Sequence, residues 1–521
     1  MARVVPTQSL WMTVPLPEFP VLDRDLDVDV VVVGAGVTGI TTAYLLCQEG
    51  VKVALIERER VATGESGRTT AHLTHVADLR LHELVSQFGN EAARTYWLGH
   101  VAAINTIESI VEETGDAAEF VRVPGYFHSP VRREPSAKDL DMLHRNAELA
   151  RQLGFEATFV DRIAYGGVPG VMFPNQAKFH PRRYFKGMLD VIRQQQGLIF
   201  ENTSYESVEE ADHSSTARAE DATIVRANGR KIRCKYLVMA THNPLKGKKG
   251  VLTTTLLQTK LHLYTTYVIG ARLPEGTVPE ALYWDTHDPY EYLRIEEYAD
   301  HQYAILGGCD EKTGQERDNE QVFSSLERRL HEVLPSASVE RRWLGQVIET
   351  DDGLPFIGEN APGEFIATGF AGNGYTLGTL SALMARDRYL GRSNPWFGLF
   401  AVGRSPFHGG PSHVGRYVQE NVDYPYYFVR DRLRRPEADS PDSVAPDQGK
   451  IVHHQGRKAA VYRDPAGTLT LLAPQCTHMK CLVKWNNADR TWDCPCHGSR
   501  FHPTGEVLSG PAQAPLPRLH D

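Results

Sequence analysis

Four side chains near the C-terminus have the types and spacing of a metal centre. Cys476-Thr-His478 is followed, after fifteen intervening residues, by Cys494-Pro-Cys496-His497. C-x-H and C-x-x-H together offer two thiolates and two imidazoles. Two Cys on one iron and two His on the other make a mixed-ligand [2Fe–2S] centre. A Cys2His2 zinc site uses the same count, although C-x-H is uncommon for structural zinc. Four of the seven cysteines (Cys476, Cys481, Cys494, Cys496) lie within 21 residues. That crowding points to metal or redox chemistry rather than a general disulfide scaffold.

A second constellation opens the chain. Gly34-Ala35-Gly36-Val37-Thr38-Gly39 is GxGxxG between a β-branched run and a helical pattern. Gly34 allows the tight turn, Gly36 lets backbone approach a pyrophosphate, and Gly39 permits close helix–strand packing. The helix N-terminus supplies N–H donors and a positive dipole end for the anion, and Val37 and Thr38 of the motif are candidate cofactor contacts. Glu57 closes the next strand, 18 residues after Gly39, where an acid accepts ribose hydroxyls. GxGxxG alone is also an ordinary turn. With strand, helix and terminal acid in place, it reads as a dinucleotide site.

These residues need elements to hold them. Val28–Val33 and Val51–Glu57 read as parallel strands buried on both faces, with a helix over Ile40–Gln48 between them. Leu81–Glu113 has helical apolar spacing. Tyr264–Gly270, Tyr290–Ile295 and Tyr303–Gly308 read as an antiparallel sheet. Tyr236–Ala240 and Phe365–Thr368 read as further buried strands, the latter feeding a helix over Thr379–Leu390. Leu433–Lys450, with three prolines and many charges, reads as a linker. Short alternating strands follow it. The expected fold is an α/β Rossmann-like domain with an inserted α+β (antiparallel-sheet) substrate domain, then a small all-β domain. The boundaries are an N-terminal arm over 1–27, the large domain over 28–432, a linker over 433–450 and the small domain over 451–521. The nucleotide segments are about 28–80, 200–250 and 345–392.

Four separated pieces occur in order: VVVGAGVTGITTAYLL, VALIERERVATGESGRTT, DDGLPFIG at 351–358 and FIATGFAGNGYTLG at 365–378. In these the chain, over about 28–392, resembles the D-amino-acid-oxidase-like FAD-dependent oxidoreductases, which include glycine, sarcosine and γ-glutamylputrescine oxidases. The resemblance implies FAD, with Gly372, Asn373, Gly374, Tyr375 and Thr376 at the flavin ring. A helix N-terminus there would stabilise negative charge on the reduced flavin. It also implies Ser66, Gly67, Arg68, Thr69 and Thr70 near the phosphates and ring edge. The bland alternatives are a helix-entry turn and a polar cap. Some relatives attach FAD through a histidine in this vicinity, but His72 and His75 do not reproduce that spacing. No second GxGxxG opens a separate nicotinamide site.

CTHMKC and CPCHGSRF make the region 450–515 resemble the cytochrome-bc type of Rieske domain. The resemblance implies Cys476 and Cys494 on the inner iron and His478 and His497 on the outer one, their outer edges facing solvent or a partner. It implies a Cys481–Cys496 disulfide, with two free thiols as the alternative because cytosolic disulfides are rare. Ser499 matches a serine that hydrogen-bonds a bridging sulfur. Phe501 stands where the family often has Tyr, so one sulfur-directed hydrogen bond is lost. A potential below the respiratory proteins follows, within the Rieske range of about −150 to +300 mV.

One chain therefore carries a two-electron flavin and a one-electron cluster. The reading is an FAD-dependent oxidation of an amine or amino acid at its C–N bond, with electrons relayed to the cluster and then to an external carrier. Candidate substrate contacts are His262, Tyr264, Tyr267, Tyr292 and Arg294, each Tyr being otherwise ordinary sheet packing. No catalytic base is evident. The alternative is an electron-transfer module running from a partner through the cluster to flavin. A Rieske oxygenase needs a 2-His-1-carboxylate iron domain after the cluster, and only 24 residues follow His497. A bare redox sensor leaves the inserted domain unexplained. With 56 basic against 65 acidic residues, net −9, nucleic acid is not an expected partner. No run of about 18 apolar residues occurs, so no membrane span is expected. The first thirty residues lack signal-peptide features, which places the chain in the cytoplasm.

Overall fold

The computed structural model describes residues 8–115, 118–210, 223–316, 318–404, 415, 417 and 420–519. At its centre is a six-stranded sheet in the order Phe356–Ala361, Glu364–Thr368, Tyr236–Met239, Val30–Val33, Val53–Ile56, Leu198–Phe200. All neighbours are parallel except the antiparallel edge pair Phe356–Ala361 and Glu364–Thr368. Val30–Val33 is buried at every residue, as a strand covered on both faces requires. Helices Val37–Gln48 and Gly374–Tyr389 cover one face and pack on each other. Gly378 makes that approach possible: a Cβ there would stand 2.8 Å from Val37 Cγ1.

Both helices start earlier than their apolar spacing suggests. The first begins at Val37, so the end of GxGxxG is its opening turn. The other begins at Gly374 rather than Thr379. Glycines in those turns weaken the helical pattern while allowing close contact.

A four-stranded sheet flanks this one, in the order Leu26–Asp27, Arg230–Cys234, Thr223–Ala227, Tyr205–Glu210, with the first pair parallel and the rest antiparallel. The second large sheet has nine strands and is mostly antiparallel. Its strand Leu261–Leu273 pairs with Gln302–Lys312 on one side and Ser338–Thr350 on the other. Tyr292–Glu297 and Leu282–Asp285 continue it. One face packs under helix Asn319–Val333 around Tyr267, Ile269 and Phe323. The other face looks towards the nucleotide domain.

Helix Asp423–Leu433 places Tyr424 and Phe428 against the core of the C-terminal domain. The charged stretch after it lies along that domain: the Glu437 N–H donates to Ile451 O, and Ala438 bridges Val452. The domain has a three-stranded sheet (Gln448–His454, Arg457–Arg463, Leu469–Leu472) and a four-stranded one (Lys484–Asn486, Thr491–Asp493, Arg500–Phe501, Val507–Ser509). Among the described residues, no helix is long and apolar enough to cross a membrane.

Candidate functional site

A cavity of about 1870 Å³ runs between the two large sheets and under the C-terminal domain. Gly34, Gly36, Val37, Thr38 and Glu57 line one end. Gly34 has φ +98°, and a Cβ on Gly36 would lie 2.9 Å from Ser66 Oγ. Gly39 does not line the cavity. It seals helix to strand, since a Cβ there would fall 1.8 Å from Gly34 O. Glu57 accepts from the Ala35 N–H at 2.8 Å and the Glu59 N–H at 3.0 Å, so it braces the glycine turn. Burial pushes its carboxyl above the usual range.

Gly372, Asn373, Gly374 and Tyr375 line the cavity's other wall. Neither N-cap residue, Gly36 or Asn373, caps its helix with a side chain. Two helix N-termini thus open on one cavity, one beside the glycine turn, where Ser66 Oγ accepts from the Val37 N–H at 2.9 Å, and one beside the 372–375 turn. That donor set suits the pyrophosphate and the electron-rich ring of a flavin dinucleotide. Thr376 lies beneath, with its Oγ1 2.9 Å from His100 Nδ1.

Ser66, Arg68, Thr69 and Thr70 also line the cavity, and Gly67 is buried behind them. This loop is pinned from outside: Trp11 Nε1 donates to Thr69 O at 2.6 Å and Trp343 Nε1 to Arg68 O at 2.8 Å. His72 lines the cavity, whereas His75 sits among Trp97, Phe155 and Phe173.

Of the five substrate candidates, Tyr264 and Tyr292 line the cavity and three residues do not. Tyr267 is one residue out of phase with Tyr264 and Thr266, so it points into the opposite core and bonds Asn319. Arg294 is only 1% exposed. It is held by Glu296 and donates to the carbonyls of Thr70, Ala71 and Phe179. It fixes the cavity loop instead of facing a substrate. His262 lies beyond the cavity end, discussed below.

Sequence reasoning missed the carboxylates here. Asp78, Asp310 and Glu349 line the substrate half with Tyr290, Thr266 and Arg80. Tyr290 OH donates to Asp78 Oδ1 at 2.6 Å, and Asp310 Oδ1 has no hydrogen-bond partner. Burial raises both carboxyls to about 7. Arg80 donates to Asp285 O at 3.1 Å and lies over the Phe127 and Tyr290 rings. The available signal was a charged Asp310 ending the apolar strand YAILGGCD.

In the C-terminal domain the two Cys/His loops meet. The buried Cys476 and Cys494 thiols are within hydrogen-bonding reach of each other. Backbone N–H groups of His478 and Met479 face the Cys476 sulfur, and those of Cys496 and His497 face Cys494. The His478 and His497 rings are 5.0 Å apart. His478 Nε2 and His497 Nδ1 are buried with no hydrogen-bond partner. Sulfurs cradled by N–H donors and imidazoles with unclaimed nitrogens fit a cluster with thiolate and imidazole ligands. Cys481 and Cys496 are disulfide-bonded beside it. Ser499 Oγ accepts from the Ala512 N–H at 3.1 Å and faces Cys476. The histidines do not open on solvent alone: the Tyr424 ring is 5.6 Å from His497, so helix Asp423–Leu433 covers that ligand.

His262 and His497 line one small junction with Glu420 and Lys312. His262 Nε2 is 2.7 Å from Asp351 Oδ1, in the DDGLP segment. Glu420 pairs with Lys312 at 2.6 Å, accepts from Tyr264 OH at 3.1 Å and borders the large cavity as well. The candidate cluster and the candidate flavin cavity thus share a polar partition to which Glu420 contributes on both sides.

A cavity with two helix N-termini beside a Cys2His2 loop pair defines a flavoprotein with an iron–sulfur domain. Residues 29–388 match the family model of FAD dependent oxidoreductases, and 436–520 match the Rieske [2Fe–2S] domain. The chain belongs to that oxidoreductase family and carries a C-terminal Rieske domain. It is 31% identical to the putative Rieske 2Fe–2S iron–sulfur protein YhfW of Bacillus subtilis, over 98% of this chain and 97% of that one. Its identity to γ-glutamylputrescine oxidoreductase of Escherichia coli is 22%, covering 80% of this chain and 95% of the relative. The fold is that of glycine oxidase from Geobacillus kaustophilus: TM-score 0.61 at 15% identity, over 73% of this chain and 99% of that structure.

Proposed function

We propose that this chain oxidises a small amine or amino acid at its C–N bond and relays the electrons to its own Rieske domain for an external carrier. When bound, FAD supplies two-electron oxidation of the substrate carbon and the cluster supplies one-electron transfer. The single observation carrying this reading is the shared partition: His262, Glu420 and Lys312 between the cavity and the cluster ligand His497.

The chain's own residues bind and orient the substrate. Asp310 Oδ1, buried and unpartnered, accepts an N–H of a substrate ammonium. Its carboxyl, raised to about 7 by burial, can take the ammonium proton and leave the neutral amine that oxidation requires. Tyr290 holds Asp78 in place. Tyr292, with its hydroxyl 3.0 Å from Thr266 Oγ1, and Trp284 form the apolar wall. For an amino acid, Arg80 is the guanidinium in this half that can meet a carboxylate.

The test is an anaerobic titration with a panel of amines and amino acids, recording flavin absorbance and the EPR signal of the reduced cluster together. One compound should bleach the flavin and bring up the cluster signal. If no compound does so while a chemical reductant reduces the cluster and then the flavin, the reading fails and an electron-transfer module fed by a partner replaces it.

A further inference from the structure

We infer that the Rieske domain completes the FAD site: it is the outer wall over the adenosine half of the dinucleotide and sets how fast FAD leaves. At that end the inner wall is the glycine turn with Glu57, Arg58 and Glu59. The facing wall is His502, Pro503, Glu506, Leu508, Ser509 and Gly510, all from the C-terminal domain. His502 Nε2 lies 3.0 Å from Glu59 Oε1, and Arg58 donates to Leu508 O.

A partly buried ionic seam holds the wall down. Asp489 Oδ2 lies 2.5 Å from Arg68 Nη1 of the cavity loop and 2.5 Å from Arg500 Nη2 of its own domain. Burial works against the Asp489 carboxylate, but Arg68 and Arg500 more than offset it and hold it below the usual range. Arg500 is 1% exposed and also reaches Asp493 Oδ1 at 3.3 Å. Deeper in, Gln346 Nε2 donates to Gly498 O at 3.0 Å, and Ser509 Oγ donates to Gln346 Oε1 at 3.0 Å. The Arg68 guanidinium is therefore committed to the seam. With the domain seated, the adenosine end has protein on both sides. Release then waits on the seam opening, which breaks the Arg68–Asp489 pair while Asp489 stays with Arg500.

This inference rests on the FAD family alone and holds for either direction of electron flow. The experiment follows FAD release from the holoprotein after dilution, by the rise in free-flavin fluorescence, with the cluster EPR signal as a check on loading. Asp489→Asn should speed release at least about tenfold, the ratio for a change of about 1.4 kcal/mol, with the cluster retained. His502→Gln, which leaves the ionic seam intact, should speed it about threefold. It decides the matter if the Asp489 variant does not accumulate as holoprotein. Unchanged release in the holoprotein variants overturns the inference. So does slower release in Asp489→Asn, because a freed Arg68 would then be what grips the dinucleotide.

Discussion

In the proposed reaction, Asp310 and Asp78 are the groups most sensitive to pH. Burial raises both to about 7, so each is largely neutral below that pH and charged above it. Binding of a cationic amine should therefore strengthen as pH rises: kcat/KM increases from pH 6 to 8 and levels off above the apparent midpoint. The two groups share one cavity, so the midpoint belongs to the pair. Asp310→Asn should lower the plateau about tenfold and make the rise shallower, the loss of one charge-assisted hydrogen bond. Stability runs the other way. A carboxyl whose folded value lies above its unfolded one costs stability as pH rises from about 4 to about 7, so the apoprotein should melt lower at pH 8 than at pH 6. At the cluster, Phe501 is fully buried near Ser499 and offers no hydroxyl. Phe501→Tyr should raise the cluster midpoint potential in a redox titration, by restoring a donor beside the sulfurs; a lower or equal value would show that the ring does not reach them.

Local motifs were legible in the sequence, and sheet facing was not. GxGxxG and the C-x-H, C-x-x-H pair work through neighbours in the chain, so their spacing alone carries the geometry. Gly39→Ala tests this: a Cβ 1.8 Å from Gly34 O should drive helix and strand apart, and the purified protein should lose its flavin absorbance. Strands behave differently, because side-chain direction reverses at each residue. Tyr264 and Thr266 face the cavity while Tyr267 faces helix Asn319–Val333, and nothing in YTTYVIG fixes that phase. Arg294 shares the phase of Tyr292 yet turns to Glu296 and three carbonyls, a set of partners distant in sequence. The Cys481–Cys496 bond joins the two cluster loops over a separation of 15 residues. Cys481→Ser should cost about 3 kcal/mol by loop closure, read as a lower temperature for loss of the cluster absorbance.

On the scale of the whole molecule, the order of domains in the sequence hides how closely they meet. Arg68 and Asp489 are 421 positions apart and form one partly buried seam. Tyr264 and Glu420, 156 apart, close the partition beside His497, a candidate cluster ligand. Composition marks where a Pro-rich stretch lies, but only the packed structure shows that it runs along the Rieske domain. With the domain seated, the proposed relay is an event within one chain. Rapid mixing of the anaerobic holoenzyme with a substrate found by titration, followed by freeze-quench EPR, measures this directly. The account predicts that the reduced-cluster signal grows as the flavin bleaching ends, with a first-order rate independent of protein concentration. A cluster that stays oxidised beside a fully reduced flavin, or a rate that scales with protein concentration, would contradict it.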